Sequence, residues 1–556
     1  MKKYIWLFTI SLVLLSFFTI RDFKSRYTRS INGDAKGYYA YLPAIFIYQD
    51  ASYGFIDEIE AKYYPEDRSQ YKAFKNKQKN GKYVNKCFPG LAIFYLPFFF
   101  LAAVSAWLAG IPIDGYSLPF QLGVGLSHVF YFFAGLYLLF IFLKKLNFLE
   151  YKIWTGFIFL LFGTNIFYYV IYDHSVSHIF NFFLTTVFIW SIQKWIESKE
   201  NKWIGIISCI LALFVISRPT NAMMILFVPF IFNFCNENVF TFLKSNVKIK
   251  HTLKFLPFIL LILIIPPVLW KWQSDLWLVY SYNNEGFNFL SPNWLNFLFS
   301  FQKGWFLWSP IMLFFFIFSL ISFFRKSIYT GLFFFIPFVI ITYVLSSWWC
   351  WTYGSGMGQR TMIDFYPFIL LGTISFFQNS KKINFIILIL SPLIILNILQ
   401  CYQIQKSIHR GGETNTESYW KYFLQWKTIA PSVEIKSNWK LISIKKQIGE
   451  QKTGELAPFS NAVISDTLNN IRKIIIDIEI GGKHGDPNLN LVISDSKEKV
   501  YRSYNFGDLL YQTPRKMTIA FDVPPDSNVF YKTYVWNSGT NSESVVKKMK
   551  VKYYSF

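Results

Sequence analysis

Long apolar runs alternate with short, lysine-containing polar stretches from residue 1 to about residue 401. Runs long enough to cross a hydrocarbon core as helices, about 20 residues each, fall near 4–20, 119–143, 152–172, 177–197, 202–217, 220–235, 254–271, 304–324, 328–347, 361–378 and 383–401. The pair 202–217 and 220–235 is split by Ser217-Arg218-Pro219-Thr220-Asn221, so it also reads as one kinked pair. The pattern predicts a polytopic α-helical membrane protein of about 11–12 spans.

One further apolar stretch, 88–109, contains Pro89, Gly90 and Pro97, which interrupt a straight helix. Charge decides how to read it. With the N-terminus inside, Lys144-Lys145, the stretch Lys194 to Lys202, Lys244 to Lys254, Arg325-Lys326 and Lys381-Lys382 all fall inside, provided 88–109 does not cross. Since lysine and arginine accumulate on the inner side, 88–109 reads as a juxtamembrane or re-entrant segment. The alternative is a full span with every later loop flipped. Met1-Lys2-Lys3 and the run after it lack a small-residue cleavage site, so the segment is expected to stay as the first span.

The pattern changes in 402–556. Short alternating runs such as Lys473-Ile474-Ile475-Ile476-Asp477-Ile478, Leu489-Asn490-Leu491-Val492-Ile493, Met517 to Val523 and Val529 to Val535 are separated by Gly481-Gly482, Asp486-Pro487, Pro524-Pro525-Asp526 and Asn537-Ser538-Gly539. They predict an extracytoplasmic, all-β, sandwich-like domain. It carries no catalytic constellation, so docking or stabilisation is its expected role.

Composition agrees with the membrane reading. Hydrophobic residues make up 53% of the 556 positions and charged ones only 16%, where a soluble domain has roughly 25% charged. The net charge of +23 would suit nucleic acid, but the basic residues lie in loops where topology explains them, and that partner is excluded. The five cysteines show no CxxC pair, which argues against a zinc site or a disulfide framework.

On this map the awkward polar residues converge on the outer face. Asp34, between Gly33 and Ala35, opens an amphipathic run containing Tyr38 and Tyr39. Its carboxylate can take a proton from a hydroxyl or ligate a divalent cation; equally, it can cap the helix that follows. His174 and His178, four apart, would share a helix face and can hold a phosphate, or pack at the interface. Arg218 sits at a break between spans, where its fork suits phosphate and its stem suits snorkelling. Lys86 is a weaker candidate of the same kind.

The segment Ser347 to Arg360 reads SWWCWTYGSGMGQR. Trp349, Trp351 and Tyr353 offer flat faces for sugar or isoprenoid, or form an interfacial belt. Gln359 and Arg360 close the segment and lead into the next span. Its glycines do not make a nucleotide-binding fingerprint, because no strand precedes them.

Taken together, Gly33-Asp34-x-x-x-Tyr38-Tyr39, Phe88-Pro89-Gly90, Arg218-Pro219-Thr220 and the span pattern resemble the GT-C superfamily of polytopic glycosyltransferases. The resemblance is nearest to the branch of lipid-dependent protein mannosyltransferases and lipid A aminoarabinose transferases, and it covers about residues 1–400. It implies a sugar donor on polyprenyl phosphate, used at the outer face of the inner (plasma) membrane. The acceptor would be a hydroxyl of a lipid, glycan or protein. Asp34 maps to the family's catalytic position, and Arg360, Arg218 and Lys86 become candidates for the donor phosphate, with His174 and His178 beside them. Some members carry two adjacent acids where this chain has Asp34-Ala35, which leaves metal dependence open and argues against close kinship with the protein-mannosylating enzymes. Two other classes compete: a transporter or flippase for a lipid-linked glycan, and a non-catalytic envelope assembly protein.

Overall fold

A computed structural model describes residues 2–20, 30–63, 74–247, 253–283, 285–406, 408–409, 412 and 414–426, together with the strands of the C-terminal part. The chain divides into two compact units, Met1–Leu424 and Gln425–Phe556.

The first unit is helical. In chain order its helices are α1 (Lys2–Ile20), α2 (Ala35–Phe46), α3 (Ile56–Tyr63), α4 (Gly90–Leu108), α5 (Leu118–Lys145), α6 (Glu150–Gly163), α7 (Ile166–Ile171), α8 (His178–Ser198), α9 (Lys202–Ser217), α10 (Val228–Phe234), α11 (Val239–Asn246), α12 (Leu256–Leu263), α13 (Ile265–Ser274), α14 (Trp294–Phe299), α15 (Trp305–Trp308), α16 (Pro310–Lys326), α17 (Ile328–Ser346), α18 (Tyr366–Asn379), α19 (Ile383–Gln405) and α20 (Thr416–Tyr422). Tight 3-10 turns, Pro219–Phe227 and Arg360–Phe365, lead into α10 and α18. Among the described residues, seven helical stretches are long and apolar enough to cross a membrane, or up to eight if a bent pair counts as one. The stretch Leu253–Ser274 has only 6% of its apolar window buried inside the protein, as expected of a helix whose solvent is lipid. This is a polytopic helical membrane protein.

Fewer helices reach spanning length than the hydropathy pattern predicts, because several are broken. The run 152–172 is two helices, α6 and α7, parted at Thr164-Asn165. The break is stabilised from elsewhere: Asn397 Nδ2 donates to the carbonyls of Phe162 (3.0 Å) and Thr164 (2.8 Å), and Ser309 Oγ accepts the Asn165 N–H (3.1 Å). Those bonds replace what the broken ladder loses.

Contacts sort the helix ends into two groups. At one end Lys145 meets Glu197 (2.7 Å), Lys144 meets Glu150 (3.0 Å), Lys152 Nζ donates to the Gln378 carbonyl (2.8 Å) and Lys326 Nζ to that of Phe234 (2.5 Å). At the other end lie α2, the turn before α8, the break after α9 and the turn before α18.

The stretch 88–109, expected to be a juxtamembrane or re-entrant segment, is one of the seven helical stretches long and apolar enough to cross a membrane. Pro97 does not interrupt it: α4 is a continuous helix of 19 residues. A proline costs a single backbone bond, which neighbours in a bundle tolerate. Its pairing is informative. Phe99 meets Phe120, Tyr95 meets His128 and Phe94 meets Tyr131, so α4 runs antiparallel to the first part of α5. It begins at Gly90, against Ser217. About 15 Å of α5, from Gly135 to Lys145, continues beyond that level toward the basic end, where α8 accompanies it instead.

The second unit contains two four-stranded antiparallel sheets, ordered β3-β10-β5-β8 and β4-β9-β6-β7. Their strands are β3 (Lys440–Lys452), β4 (Val463–Ile464), β5 (Lys473–Gly481), β6 (Leu489–Asp495), β7 (Val500–Asn505), β8 (Arg515–Asp522), β9 (Tyr531–Asn537) and β10 (Val545–Ser555). A short hairpin, β1 (Lys75–Lys77) with β2 (Tyr83–Asn85), belongs to the first unit. The turn segments around 482–488, 523–530 and 538–544 lie outside the described residues.

Candidate functional site

Asp34 holds the N-cap position of α2, yet its side chain makes no capping bond. Its Oδ2 instead accepts a hydrogen bond from Arg360 Nη2 at 2.6 Å. The two residues are 326 positions apart. The Asp34 side chain is 48% exposed and that of Arg360 14%, so the pair opens to solvent on the acid side. Arg360 Nε is buried and has no hydrogen-bond partner among the described residues.

Glycines bring the sequence motifs together here. Gly33 sits at φ +53°, a backbone conformation that favours glycine, with a Cβ position 3.0 Å from Ser175 Cβ. Gly90 packs so closely that a Cβ on it would lie 2.6 Å from the Ser217 nitrogen and 2.7 Å from the Ile216 carbonyl carbon. Phe88-Pro89-Gly90 is thus seated directly against Ser217-Arg218-Pro219. Backbone cannot yield to a methyl group there, and Gly90→Ala is expected to cost about 1–3 kcal/mol. Thermal unfolding of the purified protein in detergent checks this; an unchanged midpoint would mean that the close approach is not maintained.

Arg218, extended between α9 and the following turn, lays Nη1 against the His178 ring, 2.8 Å from Nε2 and 3.3 Å from Nδ1, and lies 5.8 Å from the centre of the Tyr353 ring. His178 Nδ1 in turn faces Asp364 Oδ1 at 2.7 Å. Asn221 Nδ2 donates to Asp364 Oδ2 (2.8 Å), and Asn181 Nδ2 reaches the same oxygen at 3.4 Å. Both His178 and Asp364 are fully buried. Asp364 follows Arg360 by four residues, and the sequence pattern assigns it no role.

Lys303 is a second residue the pattern did not single out. It is fully buried, and its ammonium donates to the carbonyls of Gly356 (2.6 Å) and Ser355 (3.2 Å). Burial, followed by the Arg360 charge, pushes its pKa from the ordinary 10.5 down to about 7. The unfolded chain therefore binds more protons than the folded one between pH 7 and 10.5, and stability rises with pH across that window. Lys303→Met removes this component. The wild-type midpoint minus the variant midpoint should grow as pH is raised from 7 to 10; a constant difference would show that the lysine titrates normally.

The other expected site residues divide. Tyr38 is within electrostatic reach of Cys87, Tyr282, Asp34 and Arg218. Burial, then the charge of Asp34, pushes the neighbouring Cys87 thiol up. Lys86 is already ion-paired with Glu285, over the Tyr282 ring, so it serves the loop junction before any ligand. His174 does not join the site: residues 172–177 are not helical, so the shared helix face with His178 does not form. Its Nε2 meets the Val170 carbonyl at 2.9 Å, and its ring packs between Phe17 and His128. His178 has both ring nitrogens engaged by Asp364 and Arg218, which corrects its expected role as a phosphate ligand. Tyr39 is structural, donating to the Gly115 carbonyl at 2.7 Å among Tyr95, Phe99 and Tyr116.

In the tryptophan-glycine segment, Tyr353 donates to the Leu345 carbonyl (2.9 Å) and Gln359 Nε2 to that of Trp351 (3.2 Å). The segment is folded on itself, with Gln359 buried, Trp351 half-buried and Trp349 exposed. Of the segment's rings, that of Tyr353 meets a site cation, Arg218.

A divalent cation fits poorly. Among the described residues no group of three or more His, Cys, Asp or Glu converges. The nearby acids are engaged, Asp34 with Arg360 and Asp173 with Ser175 (2.5 Å), and positive side chains crowd the place. The chemistry on offer is that of an anion site with the carboxylates of Asp34 and Asp173 at its edge.

Compared with known proteins, the chain matches no family model and no curated protein.

Proposed function

We propose that this chain is a membrane glycosyltransferase of the GT-C kind, transferring a sugar from polyprenyl phosphate to a hydroxyl of a lipid, glycan or protein acceptor. The observation that carries the reading is the meeting of Asp34 with Arg360, beside Arg218, where three separate motifs converge. A carboxylate next to two guanidinium groups suits one displacement at the anomeric carbon. Asp34 orients the acceptor hydroxyl and takes its proton, the acceptor oxygen bonds to the sugar carbon, and the lipid phosphate leaves with its charge held by Arg360 and Arg218. A single displacement inverts the configuration.

On this reading the basic helix ends face the cytoplasm and the site faces outward. The C-terminal sheets form an extracytoplasmic sandwich with a docking or stabilising role. The test is release of polyprenyl phosphate from a panel of polyprenyl-phosphate sugars by the full chain in nanodiscs, with candidate acceptors added. Release that depends on an acceptor supports the reading; none across the panel, from protein that binds no polyprenyl phosphate, rejects it.

A further inference from the structure

Two arginines face the proposed donor phosphate, and they are held in different ways. Arg360 is paired directly with a carboxylate. Arg218 is not: an imidazole stands between it and Asp364. With Asp364 accepting from His178 Nδ1–H the ring is neutral, and Arg218 Nη1 lies against it, 2.8 Å from Nε2 and 3.3 Å from Nδ1, over the ring rather than in line with the Nε2 lone pair. The acid is itself fixed, since Asn221 and Asn181 donate to its second oxygen and Thr185 Oγ1 to its backbone carbonyl at 2.8 Å. The ring orients the guanidinium without cancelling its charge, and Nη1 is the atom that meets it. A phosphate fork would use Nη2 and Nε.

Resting on the donor reading above, we infer that His178 and Asp364 are positioning residues that set Arg218 for the donor phosphate. They act through Arg218 and touch no substrate. A hydrogen-bonded acid behind a histidine fixes ring tautomer and direction in the same way behind a metal ligand; here the oriented cation is an arginine.

The experiment is a double-mutant cycle on the full chain in nanodiscs, titrated calorimetrically with farnesyl phosphate and separately with inorganic phosphate. His178→Phe should weaken farnesyl phosphate binding about tenfold in the wild-type background and not at all in Arg218→Met. His178→Gln, which keeps a neutral polar side chain against the guanidinium, should recover most of the loss. Asp364→Asn runs the same cycle if His178→Phe does not fold. Equal weakening with and without Arg218, or binding unaffected by either change, overturns the positioning role and leaves the phosphate site standing. A wild-type protein that binds neither probe overturns both the role and the donor reading.

Discussion

Asp34→Asn should abolish sugar transfer while leaving the protein folded and membrane-embedded. The amide keeps the size of the side chain, and its oxygen still accepts from Arg360, so the geometry of the 2.6 Å contact survives. What is lost is the ability to take a proton, which is worth about 10²- to 10⁴-fold in rate. The same change removes the charge that competes with a phosphate for Arg360. Affinity for polyprenyl phosphate should therefore hold or tighten, by up to about fivefold, the scale of a partly exposed ion pair. Single-turnover transfer and phosphate binding, measured on one preparation, separate the two effects. Full turnover in Asp34→Asn would remove the acid from the mechanism; lost binding would recast it as a structural clamp.

Arg360→Met should lower kcat/KM for the donor by about 10²- to 10³-fold, as loss of one preorganised donor to developing charge does elsewhere. Two features argue for the upper part of that range. The buried Nε has no partner among the described residues, and an unmet donor carries a penalty of about 1–3 kcal/mol that an arriving phosphate oxygen would relieve. Without the guanidinium, moreover, Asp34 faces the incoming phosphate unpaired, so the variant repels the donor as well as losing a contact. Arg360→Lys keeps the charge but not the planar fork and should fall between. Donor titrations of the three proteins decide it, and wild-type kcat/KM in the methionine variant would clear Arg360 of any role.

The sequence made part of this legible. Apolar run length and the position of lysines were enough to read a polytopic membrane protein, because a helix in lipid must bury its backbone bonds internally and has few other ways to be built. Asp34, Arg218 and Arg360 were readable as candidates because each is a charge at the edge of an apolar run. The partnership of Asp34 with Arg360 was not, since nothing local ties residues so far apart. His174 and Tyr39 look as functional in sequence as His178 and Tyr38; only tertiary packing tells them apart. The break at Thr164 depends on Asn397, a polar residue far along the chain with no local signal. Lys303 resembles any other loop lysine until its burial under Ser355 and Gly356 is seen.

The span of 326 residues between Asp34 and Arg360 also sets a timetable. At a synthesis rate of about 5–20 residues per second, Arg360 emerges roughly 15 to 65 seconds after Asp34. Through that interval the first loop has its carboxylate but not the cation that later holds it. The site is therefore absent from every nascent chain that stops before the turn leading into α18. On the proposed reading, premature termination or slow insertion of the later helices would leave inert protein rather than a partly active one.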